Sequence, residues 1–148
     1  MKETHHFYPV LFYFRFEQPY YSVSAQAHLI LDTVSLIRST LAGEETAWLK
    51  EAAAVEALWR VAQKLVVTLE AAFLPGDPRV TKAINPDERQ RWCAHWRRAA
   101  SRLAAEGILL AQEETAAQAY LDQRAQWSPH IARLAPAMAY RSEDIETR

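Results

Sequence analysis

The chain has 148 residues, of which 50% are hydrophobic and 24% charged, with a formal net charge of −1. Half-apolar composition argues against disorder, three glycines argue against an all-β domain rich in tight turns, and near-neutrality excludes a whole-molecule field that would draw nucleic acid. A single cysteine, Cys93, excludes an internal disulfide framework and suits a reducing compartment, so a cytoplasmic location is expected.

A chain of this length can bury roughly 68–70% of its extended surface around one core. One domain is therefore expected over 1–148, divided into an extended aromatic arm (1–22), a helical core (23–140) and a frayed charged tail (141–148). The start is polar, with His5 and His6, and does not read as a secretory signal. The most apolar window, Val23 to Leu41, is interrupted by His28, Asp32 and Arg38, so no membrane span is expected.

From Phe7 to Tyr21 the chain holds eight of its sixteen aromatic residues. Val10, Phe12, Phe14 and Phe16 alternate with Leu11, Tyr13, Arg15 and Glu17, the period of an extended strand, and Pro9 and Pro19 bracket it. A lone strand leaves its ladder groups unpaired, so this one either packs over the helices or pairs with another chain. The second option predicts a homo-oligomer assembled through the aromatic segment.

Ser24 is a plausible N-cap for a first helix whose seam is Ala27, Ile30, Val34, Ile37 and Leu41, widened by Leu29, Leu31 and Leu36. Its narrow polar strip is His28, Asp32, Ser35 and Ser39, and Gly43 supplies a stop. The second helix has the cleanest pattern: Trp48, Ala52, Val55, Trp59, Ala62, Val66, Leu69 and Phe73 alternate spacings of four and three. Leu58 and Leu65 extend that apolar face toward further neighbours, and Pro75, Gly76 and Pro78 end the helix.

Asn85, Pro86 and Glu88 read as an N-cap, a first-turn proline and a capping-box partner of a third helix. Its seam is Trp92, Trp96, Ala99 and Leu103, and Gly107 stands where a left-handed residue closes a helix. The last segment, about 113–140, places Ala116, Tyr120, Gln123, Trp127, Ile131, Leu134 and Met138 near helical spacing. Pro129 either kinks it or opens a new helix capped by Ser128. The expected fold is all-α, a four-helix array or bundle with an aromatic N-terminal extended strand.

Chemistry is sparse. His28 and Asp32 stand four apart and could share a metal or orient one another, but the simpler reading is a buried pair satisfying its own polarity, and His95 and His130 are the only mid-chain residues that could complete a site. There is no paired Glu-x-x-His motif of a di-iron bundle. Cys93 and His95, two apart on a helix, do not face each other, which makes Cys93 a small apolar residue at the seam's edge. No nucleophile elbow, phosphate loop or dinucleotide fingerprint occurs. The basic run Arg79, Lys82, Arg89, Arg91, Arg97, Arg98 and Arg102 is expected to meet the acidic segment of Glu113, Glu114 and Asp122, with Trp92 and Trp96 in the core. No catalytic residue, cofactor site or metal ligand is expected.

Four runs carry a resemblance: Tyr8-Pro-Val-Leu-Phe-Tyr-Phe-Arg-Phe, Ala27-His-Leu-Ile-Leu-Asp-Thr-Val-Ser-Leu-Ile, Trp48-Leu-Lys-Glu-Ala-Ala-Ala-Val-Glu-Ala-Leu-Trp and Met138-Ala-Tyr. In that order they resemble the C-terminal cytoplasmic region of bacterial potassium channel family proteins, of the two-pore-domain-like ion-channel type. In that family a pore with a filter resembling Thr-x-Gly-Tyr-Gly precedes the soluble region; this chain contains neither, so conduction does not carry over. The resemblance implies a non-catalytic domain that assembles or regulates a channel-like membrane protein at the inner face of the membrane. The competing expectation is a free-standing helical protein that binds a small ligand or metal in its interior, around His28 and Asp32.

Overall fold

The computed structural model describes residues 22–74 and 84–137. These form five α-helices, α1 (Val23–Thr40), α2 (Glu44–Lys50), α3 (Ala53–Phe73), α4 (Pro86–Ala105) and α5 (Glu113–Ala137). The fold is all-α as expected. Residues 1–21 of the aromatic arm with its strand, the helix end at Pro75, Gly76 and Pro78, the basic residues Arg79 and Lys82, the seam residue Met138 and the charged tail lie outside the described residues.

Helix α5 is the hub. It packs against α1, α3 and α4, and α1 also packs against α3. Two apolar clusters result. The first joins Ala27, Leu31 and Val34 of α1 to Val55, Trp59, Ala62, Val66 and Leu69 of α3 and to Trp127, Ile131 and Leu134 of α5. The second joins Trp92, Trp96 and Ala100 of α4 to Ala116, Tyr120 and Leu121 of α5.

The first helix begins two residues earlier than the sequence suggests. Ser22, not Ser24, is its N-cap, accepting a hydrogen bond from the Ala25 amide at 3.0 Å, while Ser24 is buried beside it. Its end is set by tertiary pairing. Leu41 turns extended and bridges Leu110, with Ala111 N–H donating to Thr40 O and Ala42 N–H to Leu109 O, both at 2.9 Å. Gly43 follows with φ +93° and opens α2 rather than closing α1.

The second expected helix is in fact two. The chain breaks at Ala52, which is extended (φ −60°, ψ 126°), so Trp48 falls on the short α2 and is 70% exposed instead of heading the seam. No glycine or proline marks this break. Its reason is tertiary, because the elbow lays both Leu49 and Ala52 onto the first cluster while Lys50 Nζ reaches the Leu41 carbonyl at 3.4 Å. From Val55 to Leu69 the expected seam is buried as read, and Phe73 is half-buried against the same cluster.

Helix α4 starts as expected, with Asn85 capping Asp87 N–H at 3.0 Å and Pro86 in the first turn. Its third buried residue is Ala100, not Ala99. Gly107 has φ +79°. Helix α5 neither breaks nor restarts at Pro129: one helix runs through Pro129 and Pro136. Proline there removes one backbone donor and leaves the carbonyl four residues earlier without its usual partner, yet burial of Trp127, Ile131 and Leu134 on both sides holds the segment helical. The seam is shifted too, since Gln123 is only half-buried while Arg124 is buried in its place.

The two left-handed glycines make a paired prediction. A Cβ at Gly107 meets nothing within 4 Å, so Gly107→Ala costs only the backbone preference, about 1 kcal/mol. At Gly43 the added Cβ also lies 3.0 Å from Leu109 Cδ1. Leu109 Cδ1 can rotate away, but Leu109 Cβ lies 3.3 Å from the added atom and its backbone is held by the Ala42 N–H to Leu109 O hydrogen bond, so urea titration should show Gly43→Ala clearly more destabilised than Gly107→Ala.

Candidate functional site

Between the two clusters lies a buried polar group built from three helices. Asp32 projects from α1, His95 from α4, and Tyr120 and Arg124 from α5. The last two are four apart and so share one helix face. Asp32 Oδ1 accepts from Tyr120 Oη at 2.5 Å and from Arg124 Nη1 at 2.8 Å; Oδ2 lies 2.9 Å from His95 Nε2. Arg124 also donates to Tyr120 Oη at 2.6 Å, and its Nη2 stands 3.2 Å from His28 Nε2.

Aromatic rings enclose the guanidinium. Its carbon sits 5.1 Å from the Trp127 ring centre, 5.3 Å from Trp92 and 5.9 Å from Tyr120. His28 meets Trp127 edge to face, with centroids 5.2 Å apart. Such faces attract a cation electrostatically, so the Asp32 carboxylate and the surrounding rings replace the water that the buried guanidinium gives up.

The electrostatics follow from that charge. Burial, reinforced by the Arg124 charge, pushes His28 down from 6.5 to about 4, against an opposing pull from Asp32, so His28 is neutral at pH 7 and accepts from Arg124. Burial alone would raise Asp32. The His95 hydrogen bond, the Arg124 charge and the Tyr120 hydroxyl outweigh burial and hold the carboxyl below its ordinary range. Tyr120 is pushed well above the usual phenol range by burial, with the Asp32 carboxylate adding to the shift.

A second buried carboxylate sits between α3 and α5. Glu70 is fully buried and is paired with His130 Nδ1 and with the Arg133 guanidinium. Gln63 and Gln126 bridge the same two helices one turn and more away, at 3.4 Å.

The expected His28–Asp32 pair therefore exists only through Arg124, which stands between the two side chains. The structure brings His95 to Asp32 but sends His130 to Glu70, so His28, Asp32, His95 and His130 do not form one site. Among the described residues no three His, Cys, Asp or Glu side chains form a metal-holding group. Sequence reading missed Arg124, Tyr120 and Glu70. The available signal was a charged residue on an apolar stripe: Arg124 falls between Tyr120 and Trp127 on the α5 seam, and Glu70 follows Leu69 on the α3 seam.

Among the described residues two arginines of α4 meet acidic side chains of α5. Arg97 pairs with Glu113 at 3.5 Å and Arg89 with Asp122 at 3.9 Å, as expected, and Trp92 and Trp96 are buried. Cys93 is half-buried against the second cluster. The two tryptophans differ in one respect. Trp96 Nε1 donates to Thr40 Oγ1 at 2.9 Å, whereas Trp92 Nε1 has no partner among the described residues. Trp96→Phe should thus cost about 1 kcal/mol more than Trp92→Phe in chemical denaturation, because only the former leaves a buried hydroxyl without its donor. Equal losses would show that ring volume alone decides.

Fold and cluster together define a class: an all-α domain whose buried carboxylates are paired with cationic and histidine side chains of neighbouring helices. No family model matches the chain, no curated protein matches it in sequence, and no solved structure matches its fold. Among the described residues no helix is long and apolar enough to cross a membrane.

Proposed function

We propose that the chain is a non-catalytic helical domain that assembles or regulates a potassium-channel-like membrane protein from the cytoplasmic side, with residues 7–21 linking it to that protein. The observation that supports this reading is where polarity and apolar surface are placed. Both oxygens of Asp32 are occupied by Tyr120, Arg124 and His95, and Glu70 is held by His130 and Arg133. Side chains able to do chemistry are thereby committed to joining helices, while Leu29, Trp48, Leu58, Val61 and Leu109 are exposed at the surface. Apolar surface of this kind suits contact with other proteins.

The resemblance supplies the partner class. Proximity labelling tests it: a biotin ligase fused to the chain in a bacterium that carries it natively should mark an inner-membrane, channel-like subunit above all others. Labelling confined to soluble proteins would overturn the membrane part. A metal or metabolite that raises the melting temperature of the purified chain would instead favour the interior-ligand reading, since only a ligand bound to the folded state stabilises it.

A further inference from the structure

The Glu70 pair has a second side. The buried carboxylate holds His130 by Nδ1. The imidazole is 12% exposed, and its other nitrogen, Nε2, forms no hydrogen bond among the described residues. A carboxylate on one ring nitrogen fixes the orientation of the ring and so sets the other nitrogen in place for a ligand. His130 lines a groove of about 460 Å³ between α3 and α5. Arg60 and Lys64 of α3 and Gln126 of α5 line it as well, with Val66 and Val67 supplying apolar surface. Among the described residues no acidic side chain lines this groove. Arg60 meets Glu56 of its own helix only through Nε, at 3.7 Å, and Lys64 meets no carboxylate among the described residues. A groove of similar size between α4 and α5, about 450 Å³, is different: its Arg97 stands 3.5 Å from Glu113, and Glu114 lines it too. Positive charge is cancelled in that groove and left standing in the one beside His130.

We propose that the α3–α5 groove binds a small organic phosphate monoester, its phosphate held by His130 Nε2, Lys64 and Arg60 and its apolar body lying against Val67. The donor set selects the anion. Three basic side chains from two helices exceed what the two oxygens of one carboxylate can answer, whereas a phosphate brings three acceptor oxygens and nearly two negative charges. Between Glu70 and the phosphate the imidazole carries both of its protons and donates one to each. The groove falls in the volume range of small-molecule sites, and its apolar surface with a few convergent polar groups has their usual make-up. The site lies apart from His28 and Asp32, and the inference does not rest on the assembly reading above.

The test is a titration of the full, nitrogen-15-labelled chain with phenyl phosphate at constant pH, followed by the NMR shifts of its amides and imidazole nitrogens. Saturable shifts should centre on the residues lining the groove, with the His130 ring moved most. Inorganic phosphate should bind roughly threefold or more weakly than the ester, and phenol should cause no shift. Lys64→Gln, a change at an exposed position, should raise the dissociation constant roughly threefold or more, and His130→Gln roughly tenfold or more. Arg97→Gln, in the other groove, should leave it unchanged. Because His130→Gln also takes a partner from Glu70, Lys64→Gln decides the matter if the former protein does not fold. Shifts that do not saturate, that fall equally on the arginines of α4, or that persist with unchanged affinity in Lys64→Gln would overturn the site. Equal binding of inorganic phosphate would overturn the organic ester, and shifts centred on His28 and Tyr120 would move the ligand to the interior and overturn the groove.

Discussion

Asp32→Asn should destabilise the fold by roughly 3–5 kcal/mol, the largest effect expected of any nearly isosteric change in this chain, because it leaves the buried Arg124 cation without its counter-charge. The amide oxygen can still accept from Tyr120 and Arg124, but not as an anion, and its NH₂ could be received by His95 Nε2 only in the tautomer that makes this nitrogen an acceptor. The cost should be specific to the half-made pair. Replacing both partners, Asp32→Leu with Arg124→Met, removes the charge together with its counter-charge, and such exchanges are often neutral or stabilising relative to a broken pair. A double-mutant cycle in urea decides the matter. Coupling below about 0.5 kcal/mol would mean that Asp32 and Arg124 act independently and that the network does not hold α1 to α5.

Acid should loosen the same region, beginning well above the carboxylate range. His28 titrates at about 4 when folded against 6.5 when free, so the unfolded chain binds a proton that the folded chain refuses. Stability from this residue is complete above pH 6.5 and is lost as pH falls toward 4, reaching roughly 3 kcal/mol. Asp32, also held below its ordinary value, has the same sign and adds its loss at still lower pH. The groups facing His28 are Arg124, Asp32 and His95 together with the Trp127 edge, and none of them reverses the direction. Urea midpoints measured from pH 8 to pH 4 should therefore fall, and His28→Gln, which cannot charge, should flatten the slope between 6.5 and 4. An equal slope in both proteins would place the acid sensitivity outside this site.

Much of the architecture was legible because it depends on local signals. The seam from Val55 to Phe73, the Asn85–Pro86 start of α4, the left-handed Gly107 and the inward tryptophans of α4 all follow from helical periodicity and capping chemistry. The break at Ala52 did not show. Its surroundings are rich in alanine, which favours helix, and the chain turns there because Leu49 and Ala52 gain more by meeting the core together than by continuing one straight cylinder. Pro129 allowed a kink or a new start; α5 does not restart there, and packing on both sides carries it on as one helix. Ser22 capped where Ser24 was expected because either serine can serve and the position of Val23 against the first cluster chooses between them.

The polar centre was half visible. His28 and Asp32 were evident as four apart on one helix face, but their partners come from 63 to 96 residues away, and no spacing rule spans such distances. Ser35 and Ser39 show the same division. Both were readable as a polar strip on α1, yet they are buried, returning hydrogen bonds to the Leu31 and Ser35 carbonyls at 2.7 Å, and Ser35 also accepts from Trp127 at 3.2 Å.

The sequence by itself determined the helical class, most helix faces and the places where apolar side chains must meet, because periodicity and caps act within a few residues. Only the tertiary structure decided where the chain turns at Ala52, that α5 runs through two prolines, and that Arg124 is the cation shared by His28 and Asp32. The reason is physical. Burial energy and charge pairing are set by neighbours in space, and one buried charge fixes the orientation of three helices at once.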